Sequence, residues 1–210
     1  MDTRVLHKGE IFEQVYVDQP DLNLHIVQEE GSRVKIHLIN FSTAANTISI
    51  EQRGKGCKTE IYALAYLHGD EQVTTETHVN HAVGGGMSNQ LIKFVLDDAS
   101  RGRFVGDLKI APDAQQTDAH QTNRNLLLSE AAEMRTQPQL EIYADDVKAT
   151  HGASTGQLDE SALFYMRQRG IGQQKARQLL VGAFMREVID SIEDSAVKNQ
   201  LLDTIDGIVE

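Results

Sequence analysis

The spacing of apolar residues changes once along this 210-residue chain, close to residue 152. Before that point apolar and polar residues often alternate, which is typical of strands with one buried face. After it the apolar residues recur about every 3.6 residues, as one face of a helix requires. The pattern predicts a β core domain over residues 1–152 and a small α-helical subdomain over residues 153–210.

Several short segments in the first part show the alternation. They are Val34–Leu38, Ile48–Ile50, Ile61–Leu67, Leu91–Leu96, Phe104–Ile110, Asn125–Leu128 and Leu140–Tyr143. Gly, Asn and Asp cluster between them and favour turns. Because no long amphipathic helix interrupts these segments, a doubly wound α/β fold is disfavoured. The spacing of the turns leaves a sandwich, a barrel and a stacked β-solenoid open.

Three helices are predicted after the change in period. The first begins after Asp159, a suitable N-cap, and ends at Gly170. The second covers Gly172–Ile192, and the third begins after Asp194–Ser195. The second helix is predicted to dock through one apolar stripe. That stripe contains Ala176, Leu179, Leu180, Ala183, Phe184, Val188 and Ile192.

Composition narrows the choice of partner and compartment. The formal net charge of -11 disfavours a nucleic-acid partner, since binding a polyanion requires a basic surface. No apolar run approaches the roughly 18 residues of a membrane-spanning helix. Cys57 is the single cysteine, and the first residues lack the pattern of a signal peptide. A reducing, cytoplasmic location without membrane contact is expected.

Searches for catalytic motifs find none. The segment Arg53–Gly56 lacks the spacing and the hydroxyl residue of a P-loop, so this chain is not expected to bind or hydrolyse nucleotide. His78 and His81 lack the glutamate of a zinc-protease motif; one is predicted to face solvent on a strand and the other to lie at a turn. Cys57 is predicted to be a small core residue.

Longer segments from residue 75 to residue 175 resemble the SufB/SufD family of iron–sulfur cluster assembly scaffold proteins. In order along the chain, they include Asp97–Gly106, Gln116–Ser129, Pro138–Lys148, Thr150–Ala153, Gly156–Asp159 and Leu163–Ile171. The stretch Asp145–His151 is more similar to the SufD branch of the family. The match is to the C-terminal core portion, and the N-terminal helical region of typical members has no counterpart here.

This resemblance implies a fold and a role. The fold would be a right-handed parallel β-helix followed by a small C-terminal α-helical subdomain, with Asn123 and Asn125 in ladder-like turns. The role would be that of a scaffold without enzymatic activity. It would pair with a SufB-like β-helix subunit, or with itself as a dimer, and dock a SufC-like ABC-type ATPase on its helices. A transient iron–sulfur cluster would form at the subunit interface.

The resemblance also assigns residues to these roles. His151 matches the interface histidine, which makes it a candidate cluster ligand, with Lys148 and Gly152 expected at the same interface. Ala149 stands where many SufD sequences have a cysteine, so His151 would act with ligands from the partner. Asp145–Asp146 could orient the imidazole. The residues expected to dock the ATPase are Arg167, Arg169, Arg177 and Phe184.

Two other functions remain open at this point. One is a polysaccharide-cleaving β-helix enzyme that uses Asp97–Asp98 and Asp145–Asp146 as paired carboxylates. Aspartate is also a preferred turn residue, and turns are the favoured explanation of both pairs. The other is a metal-free dimerisation module. The choice between homodimer and heterodimer, the type of cluster and the binding of a flavin are open as well.

Overall fold

The computed structural model describes residues 2–209, and within that range it is mainly β, with twelve strands followed by three helices. The strands are Asp2–Leu6 (β1), Ile11–Val17 (β2), Asn23–Gln28 (β3), Arg33–Asn40 (β4), Ala44–Gln52 (β5), Lys58–Leu67 (β6), Gln72–His81 (β7), Met87–Leu96 (β8), Arg101–Ile110 (β9), Thr117–Leu127 (β10), Glu133–Ile142 (β11) and Val147–Gly156 (β12). The helices are Glu160–Gln168 (α1), Gln173–Ile189 (α2) and Ser195–Val209 (α3).

The strands alternate between two parallel, six-stranded sheets. Sheet A has the order β1-β3-β5-β7-β9-β11, and sheet B has the order β12-β10-β8-β6-β4-β2. Each coil of the chain therefore adds one strand to each sheet. This arrangement is the parallel β-helix that the family resemblance predicts. It excludes the sandwich and the barrel that the spacing of turns had left open.

The length of the coil changes along the solenoid. Asp2 pairs with Leu24, which lies 22 residues further along, whereas Thr117 pairs with Val147, which lies 30 residues further along. Because the coil lengthens, the sequence has no fixed repeat period. The fold consequently could not be recognised from the spacing of turns alone.

Alternating residues of each strand point into the solenoid. In β7, Val73, Thr75, Thr77, Val79 and His81 are buried, and the residues between them are more exposed. Each coil can bury its apolar face only against the neighbouring coils, as in other solenoids. The inward face of one strand therefore continues into the inward face of the next.

Two predictions for polar residues are wrong and two are confirmed. Asn123 and Asn125 lie inside β10, not at turns, and each side-chain amide donates to the other at 2.9 and 2.8 Å. His81 ends β7 with its ring fully buried, because its position in the alternation points inward. His78 faces outward, and Cys57 is a buried core residue, both as predicted.

The first helix begins where its sequence predicts. The Asp159 carboxylate accepts a hydrogen bond from the Ser161 amide at 2.8 Å, which caps one of the free N–H groups of α1. The helix ends before Gly170, whose φ of 83° is favourable only for glycine. The change from strand to helix falls between Gly156 and Glu160.

The face through which α2 docks differs from the predicted stripe. Leu179 and Ala183 are exposed, although both belong to that stripe. The buried residues of α2 are Ala176, Val181, Gly182, Met185, Val188 and Ile189. Four of them share one apolar cluster with sheet B residues and with Leu201 and Ile205 of α3, namely Val181, Met185, Val188 and Ile189. Because α2 is covered on two sides, its apolar residues do not form a single stripe.

Lys93 joins α2 to the outer face of sheet B. Its side chain is 1% exposed, and its ammonium donates to the Phe184 carbonyl oxygen at 2.8 Å and to the Glu187 carboxylate. The Phe184 ring lies 4.1 Å from the same nitrogen. Burial lowers the pKa of Lys93, while Glu187 favours its charged form. The helical subdomain is thus fixed to the solenoid by a charged contact as well as by apolar packing.

Candidate functional site

The solenoid ends in two edge strands, β11 and β12, which together are called the open end. Each is the last strand of its sheet and pairs with one neighbour, β9 or β10. Most residues of both strands are exposed or only half-buried. An edge strand presents N–H and C=O groups that can pair with a strand of another molecule. The open end is therefore suited to strand pairing with a second subunit.

His151 lies on the face of β12 that continues the solenoid interior. Val147 and Ala149 pack against the interior core, and side chains two residues apart in a strand share a face. His151 is in register with Gln121 of β10, which is buried. One row of inward residues, here called the interior column, therefore ends at His151. Its members are Gln14, Ile36, Ile61, Gln90, Gln121 and His151.

The interior column becomes polar as it approaches the open end. Ile36 and Ile61 are fully buried and apolar, whereas the next two members, Gln90 and Gln121, are buried amides. Gln121 Nε2 donates to Gln90 Oε1 at 3.4 Å, and neither Gln121 Oε1 nor Gln90 Nε2 has a partner. Buried amide groups normally have partners, so this end of the column has spare hydrogen-bonding capacity next to His151.

His151 itself is exposed and, among residues 2–209, makes no hydrogen bond or ion pair. The carboxylates of Asp145 and Asp146 do not bond to it, which departs from the orienting role expected for them. The Asp146 backbone is held instead by Gln115 and Gln116 at 2.9 and 2.6 Å. The imidazole is consequently free to bind a group that arrives from outside.

Lys148 and Gly152 share β12 with His151 but lie on its other face. Lys148 is exposed in register with Asp118, and Gly152 is exposed in register with Thr122. A Cβ atom added to Gly152 would meet nothing within 4 Å. The structure therefore places the three predicted interface residues on one edge strand, with only His151 directed along the interior.

The two aspartate pairs lie in turns. Asp98 has a φ of 51°, and its carboxylate accepts from the Gly69 amide at 3.0 Å. The Asp97 carboxylate accepts from the Asp98 amide at 2.9 Å. Asp145–Asp146 occupies the short connection between β11 and β12. These are the structural roles that turn aspartates ordinarily have.

Metal donors of this chain do not gather into a complete site. In the part of the chain that is described, no three His, Cys, Asp or Glu side chains come together in a way that could hold a metal ion. The Cys57 thiol donates to the carbonyl oxygens of Glu29 and Gly54 at 3.0 and 3.1 Å inside the solenoid. Within the described residues, His151 is therefore not part of a complete metal site.

A second exposed surface lies on α1. Phe164 is 63% exposed and Tyr165 is 55% exposed, which is unusual for aromatic side chains on a docked helix. Arg169 lies with its guanidinium carbon 4.2 Å from the centre of the Tyr165 ring, and Arg167 is exposed on the same helix. Exposed aromatic and arginine side chains are enriched at protein interfaces. Sequence reasoning selected both arginines but missed the aromatic pair.

Arg177 and Phe184 lie on α2. Arg177 is half-buried and lines a crevice with Tyr66 and Asp97 of the solenoid. Phe184 is half-buried, and its ring faces the Lys93 ammonium inside the chain. The four residues predicted to dock the ATPase therefore come from two segments, Arg167 and Arg169 from α1 and its C-terminal end, and Arg177 and Phe184 from α2.

Comparison with known proteins identifies the family. Residues 22–184 match the family described as SUF system FeS cluster assembly, SufBD core domain. The chain is 39% identical to the iron–sulfur cluster assembly protein SufD of Escherichia coli over 165 residues, which cover 79% of this chain and 39% of that protein. It is 36% identical over 180 residues to a SufBD family protein of Synechocystis sp., with 84% and 39% of the two chains covered.

A plant protein is similar to about the same share of this chain. Protein ABCI7, chloroplastic, of Arabidopsis thaliana is 31% identical over 177 residues, which cover 82% of this chain and 37% of that protein. The chain belongs to the SufBD family of iron–sulfur cluster assembly proteins. It spans well under half the length of these relatives. Within residues 2–209, none of the helices has the length and apolar character needed to cross a membrane.

Proposed function

We propose that this chain is a non-catalytic scaffold subunit for iron–sulfur cluster assembly. Its open end pairs with a SufB-like solenoid subunit, or with a second copy of itself, and its helical subdomain binds a SufC-like ATPase. The observation that carries the proposal is the placement of His151. It is an unpartnered imidazole on an exposed edge strand, at the end of an interior column whose last two buried members are amides. The single buried thiol, Cys57, fits work in the reducing cytoplasm.

His151 contributes one ligand to a cluster held at the interface. A neutral imidazole is a common ligand for iron, and its metal-binding nitrogen must be free and accessible. With one donor from this chain, the remaining ligands come from the partner or from the sulfide of the cluster itself. The cluster is cargo that is built and passed on, so an incomplete site on one subunit suits this role.

Pairing at the open end brings a second subunit to His151. The free edges of β11 and β12 supply backbone donors and acceptors, which give affinity in strand-addition interfaces. Lys148 and Gly152 lie along the same edge strand. A partner that adds its own edge strand there covers the imidazole and excludes water from the cluster.

The ATPase binds the exposed surface on α1. Phe164 and Tyr165 are suited to be its apolar anchors, with Arg167 and Arg169 at their side. Replacing Phe164 and Tyr165 together by alanine should weaken ATPase binding at least about tenfold, since aromatic anchors dominate many interfaces. Tyr143→Ala is the matched control, because Tyr143 is 58% exposed but lies outside the helices. Equal binding by the double variant and the control would place the ATPase elsewhere.

The cluster role is tested with His151→Ala in a complex reconstituted from this chain, a SufB-like subunit and a SufC-like ATPase. The variant should fold and assemble normally but lower the yield of iron–sulfur cluster, measured by absorption and by iron and sulfide content. His68→Ala is the control, since His68 is another exposed histidine, away from the open end. A wild-type cluster yield from His151→Ala would remove the ligand role.

A further inference from the structure

The buried amide of Gln121 is the nearest partner in register with the His151 imidazole. The two residues pair across β10 and β12, and neighbouring strands lie about 4.8 Å apart. Gln121 is 1% exposed, and its Oε1 has no hydrogen-bond partner. Its Nε2 donates to Gln90, which identifies Oε1 as the free acceptor of this amide.

Gly106 of the opposite sheet leaves room for this amide. A Cβ atom added to Gly106 would lie 2.5 Å from Gln121 Nε2 and 2.6 Å from Gln121 Oε1. The Gln121 side chain therefore fills the space that the glycine leaves in β9. The Gln121 amide therefore reaches into the interior beside Gly106 and bonds to Gln90.

We infer that Gln121 is a positioning residue for His151: rotation of the exposed His151 side chain toward the interior brings the N–H of one imidazole nitrogen to Gln121 Oε1, which has no other partner. The other nitrogen is then left with its lone pair directed toward the subunit interface. Histidines that bind metals commonly donate their second N–H to an oxygen acceptor, which fixes the tautomer and the ring orientation. This inference rests on the ligand role proposed for His151 and supplies the orienting group that Asp145 and Asp146 do not provide.

The inference is tested by the tautomer of His151, read from nitrogen chemical shifts of the histidine-labelled chain at pH 8. The His151 signal is assigned by its loss in His151→Ala. The wild-type ring should show one dominant neutral tautomer, and Gln121→Met should convert it to the mixture typical of a free imidazole. Gln121→Glu retains an acceptor and should preserve the wild-type tautomer.

Gln52→Met is the matched control, because it makes the same chemical change at another fully buried amide, which bonds to Thr59 and Met87 and not to Gln121. It should leave the His151 tautomer unchanged. A mixture of the two neutral His151 tautomers in the wild-type chain would overturn the inference without any variant. The inference can therefore be tested even if Gln121→Met does not fold. An unchanged tautomer in a folded Gln121→Met chain would overturn it equally.

Cluster yield separates this inference from the ligand role. In the reconstituted complex, Gln121→Met should lower the yield about tenfold, as is common when the partner of a metal-binding histidine is lost. If His151→Ala lowers the yield but Gln121→Met leaves the tautomer intact, His151 is a ligand and Gln121 does not position it. If Gln121→Met changes the tautomer but His151→Ala has full yield, the contact exists and the ligand role fails.

Discussion

Two neighbouring parts of the interior column have opposite chemistry: the isoleucines at its centre and the polar residues that follow them toward the open end. Ile36 and Ile61 fill the earlier coils with apolar side chains that are fully buried. Gln90 and Gln121 occupy the equivalent places in later coils, and His151 ends the column in solvent. Within this column, the isoleucines contribute apolar packing, whereas Gln90 and Gln121 are buried amides that packing alone does not require.

Physical chemistry supports this division. Burying an isoleucine side chain stabilises a fold by about 1.5–3 kcal/mol. A buried polar group without a partner instead costs about 1–3 kcal/mol. Gln121 Oε1 and Gln90 Nε2 are such groups, and an aliphatic side chain in either place would remove the cost. Unfavourable groups of this kind are expected at functional sites.

The largest effect is expected where the column is apolar. Ile61→Ala should lower the free energy of unfolding by about 2–5 kcal/mol, because it leaves a cavity in a tightly packed interior. His151→Ala, at the exposed end of the same column, should change it by no more than about 0.5 kcal/mol. Urea unfolding of both variants measures the difference. Similar losses from the two substitutions would contradict the proposed division of the column.

A smaller effect is expected from pH, through two buried histidines. Burial lowers the pKa of His37 and of His81 to about 4, from the ordinary value of 6.5. The folded chain therefore binds fewer protons than the unfolded chain between these values. Stability should be complete above about pH 6.5 and decline as the pH falls toward 4, by on the order of 1–2 kcal/mol per histidine at pH 5.

The two histidines lie in different regions, so variants can separate their effects. His37 stacks on Tyr62 and bonds to Ser191 at the junction with the helices, whereas His81 bonds to Ser88 inside the solenoid. Unfolding at several pH values should show a flatter profile for His37→Phe and for His81→Gln. His68→Gln, at an exposed position, should retain the wild-type profile. Profiles that stay steep in both variants would assign the acid sensitivity to other groups.

Part of this structure could be predicted from the sequence and part could not. Local alternation located the strands, and Asp159 located the start of α1, because both signals depend on neighbouring residues. The docking face predicted for α2 was wrong, since this face depends on two packing partners that are remote in sequence. The burial of Lys93 was not predicted, because a lysine on a strand ordinarily faces solvent. Its contacts with Glu187 and Phe184 make the burial favourable.

The candidate site around His151 could likewise be predicted only in part from the sequence. The family resemblance selected His151, but the direction of its side chain follows from strand register. The residue beside it, Gln121, lies in the preceding coil 30 positions earlier, and no local pattern joins the two. Gly106 likewise affects Gln121 only across the interior. Register between coils of unequal length is a property of the whole fold.

Hydrogen exchange of this chain, measured with and without a SufB-like subunit, tests most directly whether the open end is the pairing surface. Binding should slow exchange of the β12 amides, residues 147–156, and leave the amides of β1 and β2 unchanged. Gly152→Arg should abolish this protection, whereas Gly207→Arg on α3, also in open space, should not. Unchanged exchange in β12, with protection at β1 and β2 instead, would contradict the account.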